Sequence, residues 1–412
     1  MSNIITQEIE SRFTYIENGS ITSVNGIKAA GIHCGLKKRK KDLALIFSDV
    51  PAEAAGMYTT NKAAAPPVLV SKKITDRPQK IRAIIVNSAN ANACTGTAGY
   101  LDALEVQSKC ADILNAKPSE VLVSSTGVIG QMLDVSTIIS SLENLKNSLS
   151  KKNGIDAAQA IMTTDTHPKH FALSVSLKNG KINIGGIAKG SGMIMPNMAT
   201  MLGFITTDAK ISKQLLNNAL QEAVKDSFNK ISVDGETSTN DMVLILANGF
   251  SNIEILENTE NYLAFVSALK DLSIKMATSI VFDGEGATKF ITVNIKNAPT
   301  EKDANLIAKA IVNSPLVKTA INGGDPNWGR VISAASSCGA DIKPQNVSLY
   351  FNDMAILQPG YKIDFIEEEA AKTLSGKNIV ITLDLNDGQA NTAWWTCDYS
   401  EEYIKINAFY RT

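Results

Sequence analysis

The chain has 412 residues, with 40 Lys+Arg against 41 Asp+Glu and 44% hydrophobic residues. That length predicts two to three domains and that composition a folded chain, while a net charge of -1 argues against a general nucleic-acid or polyanion binder. No stretch reaches about 18 uninterrupted apolar residues, which argues against a standard membrane span, and the acidic N-terminus reads as neither a secretory signal nor a transit peptide; the expectation is a soluble, cytoplasmic protein.

In chain order, the basic cluster Lys37-Lys38-Arg39-Lys40-Lys41 reads as a solvated loop. Ala83-Ile84-Ile85-Val86 reads as a buried strand feeding the small, polar loop Asn87 to Asn92. The same grammar recurs at Val121-Leu122-Val123, followed by Ser124-Ser125-Thr126-Gly127. From Lys213 to Lys230, Leu215, Leu216, Ala219, Leu220, Ala223 and Val224 share a helical face, with Ser212 as N-cap. Met242 to Leu246 reads as a strand, and Tyr262 to Met276 and Leu306 to Ile311 as helices. Ile379, Ile381, Leu383 and Leu385 alternate with period two, the pattern of a strand. Interspersed strands and helices give an α/β class with large sheets.

The residues available for chemistry are few. Five scattered cysteines (Cys34, Cys94, Cys110, Cys338 and Cys397) form no CxxC pair and read as reduced, mostly buried thiols. The three histidines, His33, His167 and His170, have no third ligand at metal spacing, so no metal is expected. There is no G-x-S-x-G elbow, no phosphate-binding G-x-x-x-x-G-K-[ST] and no G-x-G-x-x-G. One stretch departs from ordinary core. Between Gly185 and Leu202, glycines at 185, 186, 190 and 192 surround a single cation, Lys189, before Pro196-Asn197-Met198-Ala199-Thr200. From composition alone it reads as a Gly-rich turn and a Met-lined buried strand.

The sequence K-G-S-G-M-I-M-P-N-M-A-T-M-L-G-F-I-T-T-D-A resembles the self-cleavage segment of the ornithine acetyltransferase family, also called glutamate N-acetyltransferase. Further stretches are similar to family motifs, in family order: G-I-H-C-G-L-K-K-R-K-K-D-L-A-L-I at 31–46, N-S-A-N-A-N-A-C-T-G at 87–96 and S-S-T-G-V-I-G at 124–130. T-T-D-T at 163–166, V-D-G-E-T-S-T-N-D at 233–241, D-G-E-G-A-T-K at 283–289, D-P-N-W-G-R at 325–330 and Y-I-K-I-N-A-F-Y-R-T at 403–412 continue the set. Four positions depart from the family pattern: Ala89 stands where Gly is common, Asp134 where Pro is, Glu236 where Asp is, and Thr396 where Gly is.

The resemblance implies an α/β fold of the self-processing N-terminal-nucleophile type, a layered sandwich of mixed sheets flanked by helices. It places two domains at about 1–285 and about 286–412. It implies self-cleavage between Ala199 and Thr200, giving chains 1–199 and 200–412 that assemble as a heterotetramer. Thr200 would then be the nucleophile and, through its freed α-amine, the base; such an amine has a pKa of about 7.7–8.0, suited to proton transfer near neutrality. Thr126 and Gly127 map to the oxyanion hole, and Thr163, Lys189, Thr200, Glu285, Asn407 and Thr412 to substrate binding. Charge complementarity pairs Lys189 with a carboxylate and Glu285 with an ammonium. The implied substrates are N-acetylornithine and glutamate, without cofactor or metal, with acetyl-CoA an open second donor. The 325–330 motif reads as a structural loop. Two other readings stay open: a self-processing aminopeptidase or amidohydrolase of the same fold, and a non-catalytic binding protein.

Overall fold

The structure, a computed structural model, describes residues 12–195, 201–363 and 365–409. Ala199, Thr200 and Thr412 lie outside the described residues. The chain divides into two compact units: Met1–Asn229 with Glu236–Ile280, and Lys230–Gly235 with Val281–Thr412. The division falls inside one helix, Glu260–Phe282.

The first unit is built on a nine-stranded mixed sheet. Its order is Phe13–Tyr15, Lys169–Leu177, Gly180–Lys189, Leu202–Thr207, Met242–Ala247, Leu43–Tyr58, Ile81–Asn87 and Val121–Ser125, with Ile27–Ile32 paired onto Leu43–Tyr58. Residue parity explains why the central strands read as unbroken apolar runs. Ile84 and Val86 enter one core cluster with Phe204 and Leu244. Ala83 and Ile85 enter another with Val121, Val123, Cys110 and Leu142. A sheet buried on both faces has no polar side to alternate with. The helices Gly154–Ala160 and Lys213–Lys225 pack on strands of this sheet, and Gly96–Leu114 packs against both Val121–Ser125 and the helix Val135–Asn147.

Local chemistry sets several boundaries. Ser212 caps the helix that follows by accepting from the Leu215 amide. That helix ends at Lys225 rather than Lys230, where the chain passes through a turn into the 3-10 segment Phe228–Lys230. Asp134 accepts from the Thr137 amide and so caps Val135–Asn147, a role that a Pro in its place could not fill. Gly185 and Gly186 belong to a strand rather than a turn. A Cβ on Gly185 would lie 2.4 Å from the Ser20 carbonyl oxygen, so the glycine permits close packing within the strand.

The second unit has a six-stranded sheet in the order Ile231–Ser232, Ala390–Cys397, Phe290–Ala298, Asn378–Asp384, Ser348–Phe351 and Met354–Leu357. The helix Glu301–Val312 covers Ala390–Cys397 and Phe290–Ala298 and in turn packs against Trp328–Ser336. The D-P-N-W-G-R loop starts that last helix: Asn327 caps it through the Arg330 amide at 3.1 Å, and Arg330 Nη1 donates to the Leu316 carbonyl at 2.8 Å. The expectation of mostly buried cysteines is corrected. Cys110 and Cys397 are buried, Cys34 and Cys338 are half-buried, and Cys94 is exposed. Cys94 sits at φ 58° in the loop after Ile81–Asn87, where the chain turns outward.

Candidate functional site

Two parallel strands, Ile81–Asn87 and Val121–Ser125, end side by side, and the loops leaving their C-terminal ends lock together. The Thr126 amide donates to the Asn87 carbonyl at 3.0 Å and the Val128 amide to the Ala89 carbonyl at 3.0 Å. The Ala91 amide returns to the Val128 carbonyl at 3.0 Å. The asparagines of the first loop act as pins: Asn87 Nδ2 donates to the Asn90 carbonyl, Asn90 Nδ2 to Met132, and Asn92 Nδ2 to Gly99. From across the sheet Asn240 Nδ2 donates to the carbonyls of Ala91 and Ser125. Gly127 lies between these ties at φ 136°, and a Cβ there would sit 2.1 Å from the Ala89 carbonyl carbon. Only glycine fits. Its N–H donates to no other described residue.

The Lys189 ammonium donates to Thr126 Oγ1 at 3.3 Å, and both residues are buried. Accepting from a cation leaves the Thr126 hydroxyl hydrogen to point elsewhere and polarises it. Beside Lys189 lies Asp165, whose Oδ1 accepts from Lys169 Nζ at 2.7 Å and from the Gly190 amide at 2.8 Å. Asp165 Oδ2 accepts from the Thr163 amide at 2.9 Å. Burial pushes the Asp165 carboxyl up, but Lys189, Lys169 and the Gly190 amide outweigh it and hold the group well below the usual carboxylate range.

Two more groups act on this cluster. Lys37 donates to the Met162 carbonyl at 2.6 Å, which ties the basic loop to the segment carrying Thr163. Burial draws its ammonium down to about 8, with Asp42 opposing and Lys189 adding to the fall. Asp42 is fully buried and shapes that loop by accepting from the amides of Cys34 and Lys37 at 2.6 and 2.7 Å. Lys38, Arg39 and Lys40 are exposed, as a solvated loop requires, whereas Lys37 and Lys41 are half-buried. Asp241 is buried just before the strand Met242–Ala247, and its Oδ2 has no hydrogen-bond partner among the described residues. Burial raises its carboxyl well above the usual range, a rise that Lys189 reduces without cancelling.

The second unit holds Glu285 and Asn407. Glu285 is buried, and its Oε2 accepts from Asn407 Nδ2 at 2.8 Å; Asn407 Nδ2 also donates to the Tyr403 carbonyl at 3.0 Å. The D-G-E-G-A-T-K loop around Glu285 is fixed by Asp398, which accepts from the amides of Thr288 and Lys289, each at 2.8 Å. Ser400 Oγ donates to the Gly286 carbonyl at 2.5 Å.

The structure therefore brings Thr126, Gly127, Thr163 and Lys189 into one network of the first unit and pairs Glu285 with Asn407 in the second. Ala199, Thr200 and Thr412 are not described. Sequence reasoning passed over Asp165, Lys169, Asp241 and Asn240, and read Lys37 only as part of a solvated loop. Asp165, Asn240 and Asp241 lie inside motifs quoted above, but nothing local in the sequence tells which charge faces which.

A family model described as the ArgJ family matches residues 28–412. The Arginine biosynthesis bifunctional protein ArgJ of Thermotoga neapolitana is 48% identical over 393 residues, covering 94% of this chain and 99% of that protein. Its namesake in Dehalococcoides mccartyi is 46% identical over 411 residues, covering 98% and 100%. A crystal structure of ornithine acetyltransferase complexed with ornithine, from Mycobacterium tuberculosis, is 34% identical, covers 45% of this chain and 98% of that one, and has a TM-score of 0.42. With a family match over nearly its whole length, the chain belongs to the ArgJ family and is an acyltransferase of arginine biosynthesis.

Proposed function

We propose that the chain transfers the acetyl group of N2-acetyl-L-ornithine to L-glutamate through an acetyl ester on Thr200, after cutting itself between Ala199 and Thr200. The observation that carries this reading is the pair of donors at the end of Val121–Ser125: a Gly127 N–H not engaged by any described residue beside a Thr126 hydroxyl polarised by buried Lys189. Two such donors suit a tetrahedral oxyanion, and removing one from such a site costs about 3–4 kcal/mol of barrier.

In self-cleavage, Thr200 Oγ attacks the Ala199 carbonyl carbon, the C–N bond breaks, and an ester joins the two residues. Water then hydrolyses the ester, freeing the Ala199 carboxylate and the Thr200 amine. The cut falls between the strands Gly180–Lys189 and Leu202–Thr207, which are antiparallel neighbours with Lys189 opposite Leu202. It would divide a sheet rather than separate the two units, so strand pairing keeps the fragments together.

In acetyl transfer, the Thr200 amine takes the Oγ proton as Oγ attacks the acetyl carbonyl. The oxyanion is met by Thr126 and Gly127, and the same proton passes to the departing α-amine of ornithine. The α-amine of glutamate then attacks the ester and leaves as N-acetylglutamate, returning Thr200 to its free form. Lys189, with Thr163, suits the substrate carboxylate. Glu285, held by Asn407, suits the side-chain ammonium, and Thr412 contributes from the C-terminus. Acetyl-CoA is the alternative acetyl donor, and the two fragments assemble as a heterotetramer in the cytoplasm; among the described residues no helix is long and apolar enough to cross a membrane.

The test offers the purified protein glutamate with either acetylornithine or acetyl-CoA and measures N-acetylglutamate and free acetate. Intact mass is read in parallel. Transfer from acetylornithine with fragments beginning at Met1 (or Ser2) and Thr200 is expected. Acetate release without transfer would assign a hydrolase, and a single uncut mass would sink the processing step.

A further inference from the structure

The reaction as written uses Lys189 but not the buried pair beside it. Asp165 and Lys169 are 3% and 1% exposed, and neither needs to be charged for the fold to have a core at that point. What the Asp165 carboxylate joins is specific. Its donors come from the loop carrying Thr163, from Lys169 at the start of Lys169–Leu177, and from Gly190 just beyond the end of Gly180–Lys189. Those two strands are antiparallel neighbours, with Lys169 opposite Ala188. One carboxylate therefore holds the backbone just past Lys189 and at Thr163, two of the residues of this unit assigned to substrate.

Lys169 completes the arrangement electrostatically. As the direct counterion of Asp165 at 2.7 Å, it shares the field of that carboxylate with Lys189, whose ammonium donates to Thr126. Without Lys169, a buried carboxylate facing Lys189 would draw that ammonium inward, because an unpaired charge in a low-dielectric interior is costly.

We propose that Asp165 is a positioning residue, with Lys169 as its counterion: it ties the backbone beside Lys189 to that of Thr163 and so sets the preference for a substrate bearing an α-carboxylate. The proposal rests on the acetyl-transfer reading and goes beyond it in naming what holds the carboxylate partner in place.

The experiment compares kcat and KM for N2-acetylornithine and for its α-carboxamide, which has the same shape without the charge. It uses the full chain as wild type, Asp165→Asn, and the double variant Asp165→Asn with Lys169→Met. In Asp165→Asn, kcat/KM for acetylornithine should fall at least about tenfold, mainly through KM, while the carboxamide value moves by less than about threefold. The double variant removes carboxylate and counterion together, so it leaves no unpaired buried charge and keeps the test alive if the single variant misfolds. It should still show the reduced carboxylate preference. A double variant with the wild-type ratio, or equal losses on both substrates, would reduce the pair to a structural role and overturn the proposal alone. A wild type that turns over neither substrate would overturn the acetyl-transfer reading and this proposal together.

Discussion

Lys169 in the first unit and Lys318 in the second are each 1% exposed, and their surroundings differ in kind. Lys169 faces a carboxylate, with Lys189 close by on the same cluster. Lys318 donates to Thr396 Oγ1 at 2.5 Å and to the Cys397 carbonyl, and its ammonium lies 4.5 Å from the centre of the Tyr399 ring. Burial draws the Lys318 ammonium below its ordinary value, and the coulombic pull of Cys397, Asp398 and Asp234 does not restore it. A cation absorbed by neutral dipoles and a ring face has no field left to aim at a ligand. In the first unit the cations Lys189 and Lys169 share the carboxylate of Asp165, Lys37 acts on it from further off, and burial disfavours the charged form of Asp241. Cations gathered beside the two proposed oxyanion donors are what an anionic substrate and an oxyanion require.

The contrast breaks most sharply at Thr126. Thr126→Val keeps the shape and removes the hydroxyl, so kcat for acetyl transfer should fall by about 10²–10³-fold with the melting temperature nearly unchanged. A kcat within threefold of wild type would remove Thr126 from the oxyanion site. The two cations outside the Asp165–Lys169 pair come next. Lys189→Met should lower kcat/KM for acetylornithine roughly a hundredfold, about 3 kcal/mol, because it removes the buried charge proposed to pair with the substrate carboxylate. Lys318→Met should leave kcat/KM within about twofold. Comparable losses in both variants would erase the distinction between the units.

Lys318 also makes a pH prediction with a definite sign. Its folded value lies below the ordinary 10.5 that the unfolded chain keeps. Between those two values the unfolded chain binds more protons, so stability rises with pH through that window, and the burial penalty is fully present below it. Urea unfolding between pH 7.5 and 10.5 should show a rise that Lys318→Met removes, while at pH 7 the variant stays within about 1 kcal/mol of wild type. A wild-type profile as flat as the variant's would show that burial does not lower the Lys318 ammonium below its unfolded value.

What the sequence revealed and what it hid divide along the same physical line. Ile81–Asn87, Val121–Ser125 and Met242–Ala247 were legible because a strand covered on both faces is a short apolar run, and Ser212 was legible because a cap acts within three residues. The motifs placed Thr126 and Lys189 as candidates by resemblance, but their 3.3 Å contact spans 63 positions. Asp398 fixes the loop of Glu285 from about 110 positions away, and Ile231 pairs with Trp395 across the whole second half of the chain. Pairings of that range leave no periodicity to read. Thr396 shows the cost of reading residues singly. As a departure from the family pattern it carried no meaning, yet it receives the Lys318 ammonium and donates to the Val312 carbonyl at 3.1 Å.

The smallest expected effect tests another such departure. Ala89 sits at φ 81°, in the left-handed region that costs a residue with a Cβ about 1–2 kcal/mol. The carbonyl of the same residue accepts from the Val128 amide, and its carbonyl carbon closes against Gly127, so the loop cannot relax without moving the oxyanion donor. The strain is therefore held in place by the lock between the two strand-end loops. Ala89→Gly should relieve it and, after the greater chain entropy of glycine in the unfolded state, stabilise the protein by about 0.5–1 kcal/mol. Because the Val128 contact uses only backbone atoms, kcat should stay within about twofold. If kcat instead falls several-fold while stability rises, the rigidity that Ala89 imposes on Gly127 is part of catalysis, and the unit that aims charge at its ligand is also the unit that stores strain to do so.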